Sequence, residues 1–169
     1  MLNERSRVSR PAAPVSPLLR PLSRGYALQI GLATLFIAAA LILARGAELP
    51  VVAAIGSSAF LVFCLPTSPM ASPRNVVGGY AGALVIAAGL DPLVEAMASD
   101  LLHDLLAAGA VGLSLLLMAL TKTEHVPAAG AVLALSLHWD VEAAASMLLM
   151  ALVLAVAHTV LRGRPLKTL

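Results

Sequence analysis

Six apolar stretches separated by polar turns run through this chain, and they constrain its fold more than any other feature. They cover residues 26–44, 49–65, 76–90, 105–120 (with a start nearer residue 101), 126–137 and 141–161. The runs are continuous rather than alternating, so they read as helices and not as the strands of a membrane barrel. A bilayer core about 30 Å thick takes about 20 helical residues at about 1.5 Å each. Four stretches approach that length. The third and fifth fall short, and each reads as a half-helix or a re-entrant piece shielded by its neighbours. Composition agrees: the chain is 60% apolar and 12% charged, against about 45–50% and about 25% in soluble domains. The expected architecture is an all-α, polytopic transmembrane helix bundle spanning residues 26–161. Its runs are rich in alanine and glycine, which lets helices approach closely in lipid.

Residues 1–25 form a polar leader carrying Pro11, Pro14, Pro17 and Pro21 with Arg5, Arg7, Arg10, Arg20 and Arg24. This reads as a disordered basic tail that meets the membrane at its charged end. A signal peptide is the rival reading. The 19-residue run that follows exceeds a typical signal core and matches a retained span. Residues 162–169 form a second basic tail. If the amino terminus is cytoplasmic and all six stretches cross, ten of the 11 basic residues fall inside and only Arg45 outside. That is the asymmetry the positive-inside rule requires. A fifth stretch that failed to cross would strand Arg162, Arg164 and Lys167 outside. The expected setting is a bacterial inner membrane with both termini in the cytoplasm. Cys64 is the single cysteine, so no intramolecular disulfide can form.

Two turns gather the polar groups, and this topology puts both on the cytoplasmic side. The first is "CLPTSPMASPRNVVGGYAG", residues 64–82, where three prolines break the chain before Arg74, Asn75, Gly78 and Gly79 open a helix. The second is "TKTEHVPAAGAV", residues 121–132, where Thr123, Glu124 and His125 precede Pro127 and Gly130. The first turn of a helix offers unpaired N–H groups and the positive end of its dipole, which together favour an anion. Arg74 adds a planar fork of donors and His125 a titratable ring. The small residues allow two such helix starts to approach, as paired broken helices do in many transporters. The candidate substrate-binding set is Arg74, Asn75, Gly78, Gly79, Thr123, His125, Pro127 and Gly130.

Each of these residues also has a plain structural reading. Arg74 and Lys122 serve equally as topology anchors at the lipid headgroups. Pro127 suits a first helical turn on conformational grounds. The glycines suit close packing, and His125 can cap its own turn. His158 lies within the sixth stretch, where one polar contact to a neighbour would explain it as well as a functional role. His103 and His138 fall in outer loops.

At these two turns the sequence resembles the HPP family of integral membrane proteins. That family carries a His-Pro-Pro motif within a string like T-x-T-x-H-P-P-A-G-A. Here "TKTEHVPAAGA" keeps Thr121, Thr123, His125, Pro127, Ala128, Gly130 and Ala131, with a one-alanine shift and with Val126 in place of the first proline. "PMASPRNVVGGY" is similar to the family's second signature through Pro69, Pro73, Arg74, Asn75, Gly78 and Gly79, with Tyr80 where a histidine is usual. "IGSSAFLVF", residues 55–63, resembles the small-residue helix that precedes it. The likeness extends over roughly residues 30–160. It implies a helical membrane domain, usually described with four spans. The plastid members' association with nitrite transport implies a small-anion carrier.

Three function classes follow. The first is a small-anion transporter or channel, in which Arg74 holds charge, Asn75 and Thr123 donate hydrogen bonds and His125 couples to protonation. The second is a membrane scaffold or partner subunit in which the motifs fix helix packing. The third, a membrane enzyme, lacks support: the sequence has no nucleophile with base and orienter, no HExxH-type metal spacing and no P-loop. No catalytic residue, metal ligand or cofactor is expected. The partners expected are lipid and a small inorganic anion, with no nucleic acid. At 17.3 kDa a dimer or trimer is also expected, since one copy is small for enclosing a pathway. On this topology, reporter fusions after Lys122 and after Lys167 should both report the cytoplasm, and one placed within residues 91–104 the opposite side. An opposite-side signal at Lys167 alone would make the fifth stretch re-entrant.

Overall fold

The structure, a computed structural model, describes residues 24–43 and 49–162. The bulk of the proline-rich leader, the basic tail beyond Arg162, and Arg45 with Glu48 lie outside the described residues. Six helices follow one another: α1 (Arg24–Leu43), α2 (Leu49–Cys64), α3 (Pro73–Glu95), α4 (Asp100–Thr121), α5 (Val126–Leu137) and α6 (Val141–Leu161), with a 3₁₀ turn at Pro69–Ala71 before α3. Among the described residues there are no strands. The chain is a helical membrane bundle.

One expected length is corrected. The third helix is not short: α3 has 23 residues and, with α4 and α6, is long and apolar enough to cross a membrane. Its apolar run understates it because polar residues and prolines continue the helix at both ends. Pro73 occupies the first helical turn, where its missing N–H costs no bond. Ser72 caps the helix by accepting from the Asn75 amide at 3.4 Å. At the other end the helix continues through Asp91 and Pro92 to Glu95. The fifth helix is short as expected, with 12 residues, or about 18 Å.

α2, α5, α3 and α6 form the core in that cyclic order, α2 lying across from α3 and α5 across from α6. α4 packs on α3 and α5, and α1 packs on α2. Short α5 is thus walled by α2, α3 and α4, and it buries Pro127, Ala128, Ala131, Val132 and Leu135. The outer surface carries large apolar side chains, among them Leu35, Val85, Leu120 and Val156, all more than 60% exposed. Such a surface matches lipid rather than water.

α4 ends in a reversal at Lys122, whose φ of 54° lies in the left-handed region. The Thr123 amide returns to the Met118 carbonyl at 2.9 Å and the Lys122 amide to Ala119 at 3.4 Å, the paired bonds of a Schellman ending. The reversal lays residues 123–125 against the first turns of α3. Contact there is close enough to need glycine. A Cβ on Gly78 would come 2.6 Å from Thr123 Cγ2, and one on Gly79 would come 2.7 Å from His125 Cβ and 3.3 Å from the Thr123 carbonyl oxygen. Gly130 differs, because a Cβ there meets nothing within 4 Å. Gly79→Ala should therefore destabilise the bundle by about 1–3 kcal/mol through overpacking, despite alanine's helix propensity advantage of about 1 kcal/mol. Gly130→Ala should be neutral or slightly stabilising. Thermal melts of the purified protein in detergent compare the two. Equal melting temperatures for Gly79→Ala and the parent would mean that the turn yields where the geometry says it cannot.

Candidate functional site

The two polar turns meet face to face. Arg74, exposed in the first turn of α3, donates from Nη2 to the Thr121 carbonyl at 2.8 Å. Asn75, buried beside it, donates from Nδ2 to the Glu124 carbonyl at 3.1 Å. Thr123 Oγ1 lies 2.7 Å from Thr121 Oγ1, which also bonds the Leu117 carbonyl. Six of the eight residues singled out in the sequence, Arg74, Asn75, Gly78, Gly79, Thr123 and His125, thus belong to one contact. Pro127 is buried at the start of α5. Gly130 lies away from that contact, on an apolar groove of about 820 Å³ that it lines with Pro127, Val126, Ala53, Ser57 and Phe60. Val126, in place of the family's first proline, also looks into this groove and is 59% exposed.

His125 is fully enclosed and holds three parts of the bundle together. Its Nδ1 lies 2.8 Å from the Met70 carbonyl oxygen in the 3₁₀ turn. Its Nε2 lies 2.8 Å from Ser58 Oγ on α2. Ser58 Oγ is in turn 2.8 Å from the Tyr80 hydroxyl on α3, and 3.0 Å from the Ala54 carbonyl one helical turn back. The rings of Tyr80 and His125 are tilted at 50° with centroids 5.5 Å apart. Ser58 and Tyr80 are as deeply buried as the histidine. Tyr80 thus keeps a hydrogen-bonding group at the position where the family's second histidine is usual.

The sequence signals these partners weakly. A small-residue helix containing Ser58 is evident, but nothing in its spacing distinguishes Ser58 from Ser57. Ser57 bonds only carbonyls of its own helix.

The proton positions follow from the partners. A carbonyl can only accept, so Nδ1 of His125 carries the proton toward Met70. In the neutral ring Nε2 then accepts from the Ser58 hydroxyl, and the Tyr80 hydroxyl donates to Ser58 Oγ. If Nε2 gains a proton it donates to Ser58 Oγ, and the Ser58 hydroxyl turns to the Ala54 carbonyl. Every polar atom of the trio keeps a partner in both states. Hydrogen bonding by itself therefore does not restrict His125 to one protonation state. Among the described residues, no three His, Cys, Asp or Glu side chains gather as metal ligands would.

Ser58 joins the other two members of this array, and its removal should cost more than removal of the Tyr80 hydroxyl. Ser58→Ala leaves both the Tyr80 hydroxyl and His125 Nε2 buried without their partner, at about 1–3 kcal/mol for an orphaned group. Tyr80→Phe removes one donor and leaves Ser58 bonded, so its effect should be smaller. In the double variant the Tyr80 share of the Ser58→Ala loss should disappear. Additive losses, or a Ser58→Ala melting temperature equal to the parent's, would show that the three groups do not act as one array.

A family model described as "HPP, transmembrane region" matches residues 16–164. No curated protein and no solved structure matches the chain. The matched region takes in all six helices, both polar turns and the Ser58–Tyr80–His125 array, and the chain belongs to the HPP family of integral membrane proteins.

Proposed function

We propose that this protein carries a small inorganic anion of the nitrite type across the membrane. In this reading it acts as a transporter or channel and not as an enzyme. The observation that carries the reading is the buried Ser58–Tyr80–His125 array at the point where both family signatures meet. Polar groups inside a membrane bundle are costly and by default mark a functional pathway. The association of plastid HPP proteins with nitrite transport supports the choice of substrate class.

In the conformation described, the two turns are closed on each other. Arg74 and Asn75 each give a donor to a backbone carbonyl of the facing turn. An anion entering between the turns would take over those donors, and the turns would separate around it. Thr123 would supply a further hydrogen bond, and His125 would exchange a proton through Ser58. Gly78, Gly79 and Pro127 set the spacing of the two helix starts, and Gly130 leaves the groove face of α5 open. Both turns would face the cytoplasm of a bacterial inner membrane, and a second or third copy would complete the pathway. The same hydrogen bonds also favour a second reading, a scaffold in which these donors do no more than tie the turns together.

Uptake into proteoliposomes separates the two. The parent should take up nitrite, with nitrate and chloride as comparisons. Arg74→Lys keeps the charge but loses the planar fork. Loss of a charge-assisted bond of about 1.5–3 kcal/mol should weaken apparent anion affinity by roughly ten- to a hundredfold. Arg74→Ala should be worse. Parent-like uptake by Arg74→Lys, at matched protein and equal melting temperature, would remove Arg74 as a ligand. Failure of the parent to carry any of the three anions would leave the scaffold.

A further inference from the structure

Two histidines hold one short segment of chain from different helices. Residues 65–72 link α2 to α3, and the sequence "LPTSPMASP", residues 65–73, stiffens them. Pro66, Pro69 and Pro73 fix their own φ. Each also confines the residue before it to extended backbone. Ser68 and Ser72 lie there, both with φ of −64° and with ψ of 134° and 145°. Within this stretch only Thr67, Met70 and Ala71 escape both restrictions. The segment also closes hydrogen bonds on itself. The Ser68 amide reaches the Leu65 carbonyl at 2.9 Å, Ala71 reaches Ser68 at 3.0 Å and Ser72 reaches Pro69 at 3.1 Å. Chain restrained in this way shifts as a unit more readily than it melts.

The two histidine ties differ in strength. His125 Nδ1 donates to the Met70 carbonyl at 2.8 Å, and its Nε2 is held by Ser58 at 2.8 Å. His158, on the last turns of α6, donates from Nε2 to the Pro66 carbonyl at 3.0 Å, while its Nδ1 has no hydrogen-bond partner. One ring is fastened at both edges and the other at one.

The surroundings differ in the same sense. Met70 lines the apolar groove, so a carbonyl released there goes unpaired at a cost. Pro66 borders a separate cavity of about 340 Å³ whose wall includes Ser68, Ser72 and Arg162. That space is polar and large enough for water, and a bound water is enthalpically nearly as good a partner as an imidazole. Losing His158 therefore costs the segment less than losing His125.

We propose that residues 65–72 form a rigid strap, anchored at Met70 by His125 and latched at Pro66 by His158. Releasing the latch lets the Pro66 half lift from the end of α6. Because the segment is stiff, it carries that shift to the carbonyl that His125 holds. The last turns of α6 thereby become a control point for the buried Ser58–Tyr80–His125 array.

The test is a distance measurement by pulsed electron resonance on the full-length purified protein, with spin labels at Ser68→Cys and Val85→Cys in a Cys64→Ala background. Ser68 lies toward the latched end of the strap, and Val85 is 71% exposed on α3. His158→Phe keeps an aromatic ring but offers Pro66 no donor, and it should add a second distance population. His158→Gln restores an N–H donor and should return the parent's distribution. His103→Ala removes a histidine at the other end of the bundle and should leave the distances unchanged. Amide exchange across residues 65–72, read by mass spectrometry, should match the parent's in His158→Phe, since a strap that moves as a unit keeps its internal bonds. Nitrogen spectra of labelled histidine should show the His125 signal displaced in His158→Phe and restored in His158→Gln. The proposal is overturned if His158→Phe gives the parent's distances, if His158→Gln or His103→Ala disturbs them as much as His158→Phe does, if amide exchange in the segment rises with the distance change, or if the His125 signal does not move. Should His158→Phe fold poorly, His158→Ala is read in the same way. Anion uptake does not enter the readout, so failure here and failure of the transport reading are told apart.

Discussion

The imidazole of His125 is the contact on which the rest of this end of the bundle depends. Its two nitrogens reach Ser58 on α2 and the Met70 carbonyl before α3. Its own backbone sits at the junction of α4 and α5. One planar ring therefore fixes the relative positions of four helices. Only a side chain with two hydrogen-bonding atoms on opposite edges can do this. A single-ended donor such as lysine would satisfy one partner and leave the other buried. The Schellman reversal at Lys122 and the glycines at 78 and 79 follow from it, since they let the backbone around His125 come within contact of α3.

Lipid makes that close approach necessary. Between membrane helices there is little hydrophobic driving force, because lipid tails are as apolar as the side chains they would replace. Cohesion must come from contact and from internal hydrogen bonds. The four core helices meet through small residues such as Ala59, Ala83, Ala128 and Ala151, all buried. The hydrogen bonds that cross between elements, by contrast, concentrate where the two turns meet: Arg74 to Thr121, Asn75 to Glu124, His125 to Ser58 and Met70. The short α5 is tolerated for the same reason. Its ends need not reach the bilayer surface when α2, α3 and α4 enclose it.

Much of this was legible in the sequence, for reasons that apolar patterning explains. Where a run ends in a clear breaker the helix ends there too, as at Val126–Leu137 and Val141–Leu161. α3 was underestimated because hydropathy stops at Leu90, whereas helix formation does not depend on apolarity. Asp91 and Pro92 stay helical as far as Glu95. The candidate site was legible at its two turns, where charges and glycines interrupt the grease. Its partners were not. Ser58 lies 67 residues from His125, and local patterning carries no information about pairings at that distance. Met70 takes part through its carbonyl, which every residue type possesses. Gly130 belongs to the same motif by sequence but faces the groove, because one step along a helix turns a residue by about 100°.

Stability explains the histidine at the centre of this contact better than it explains the serine and the tyrosine. Deleting one member of a buried hydrogen-bonded set is costly because it orphans the others. Replacing the whole set by apolar groups of the same shape is nearly neutral. That does not extend to His125, because an apolar residue there would leave the backbone carbonyl of Met70 buried without its donor. What apolar groups at positions 58 and 80 cannot provide is a partner for His125 Nε2 in both protonation states. Ser58 provides this because its oxygen lies 2.8 Å from His125 Nε2 and 3.0 Å from the Ala54 carbonyl at once. A residue without a hydroxyl at 58 would hold the helices but fix the histidine in one state. The position of that hydroxyl is the structural reason for weighting the transport reading above the scaffold.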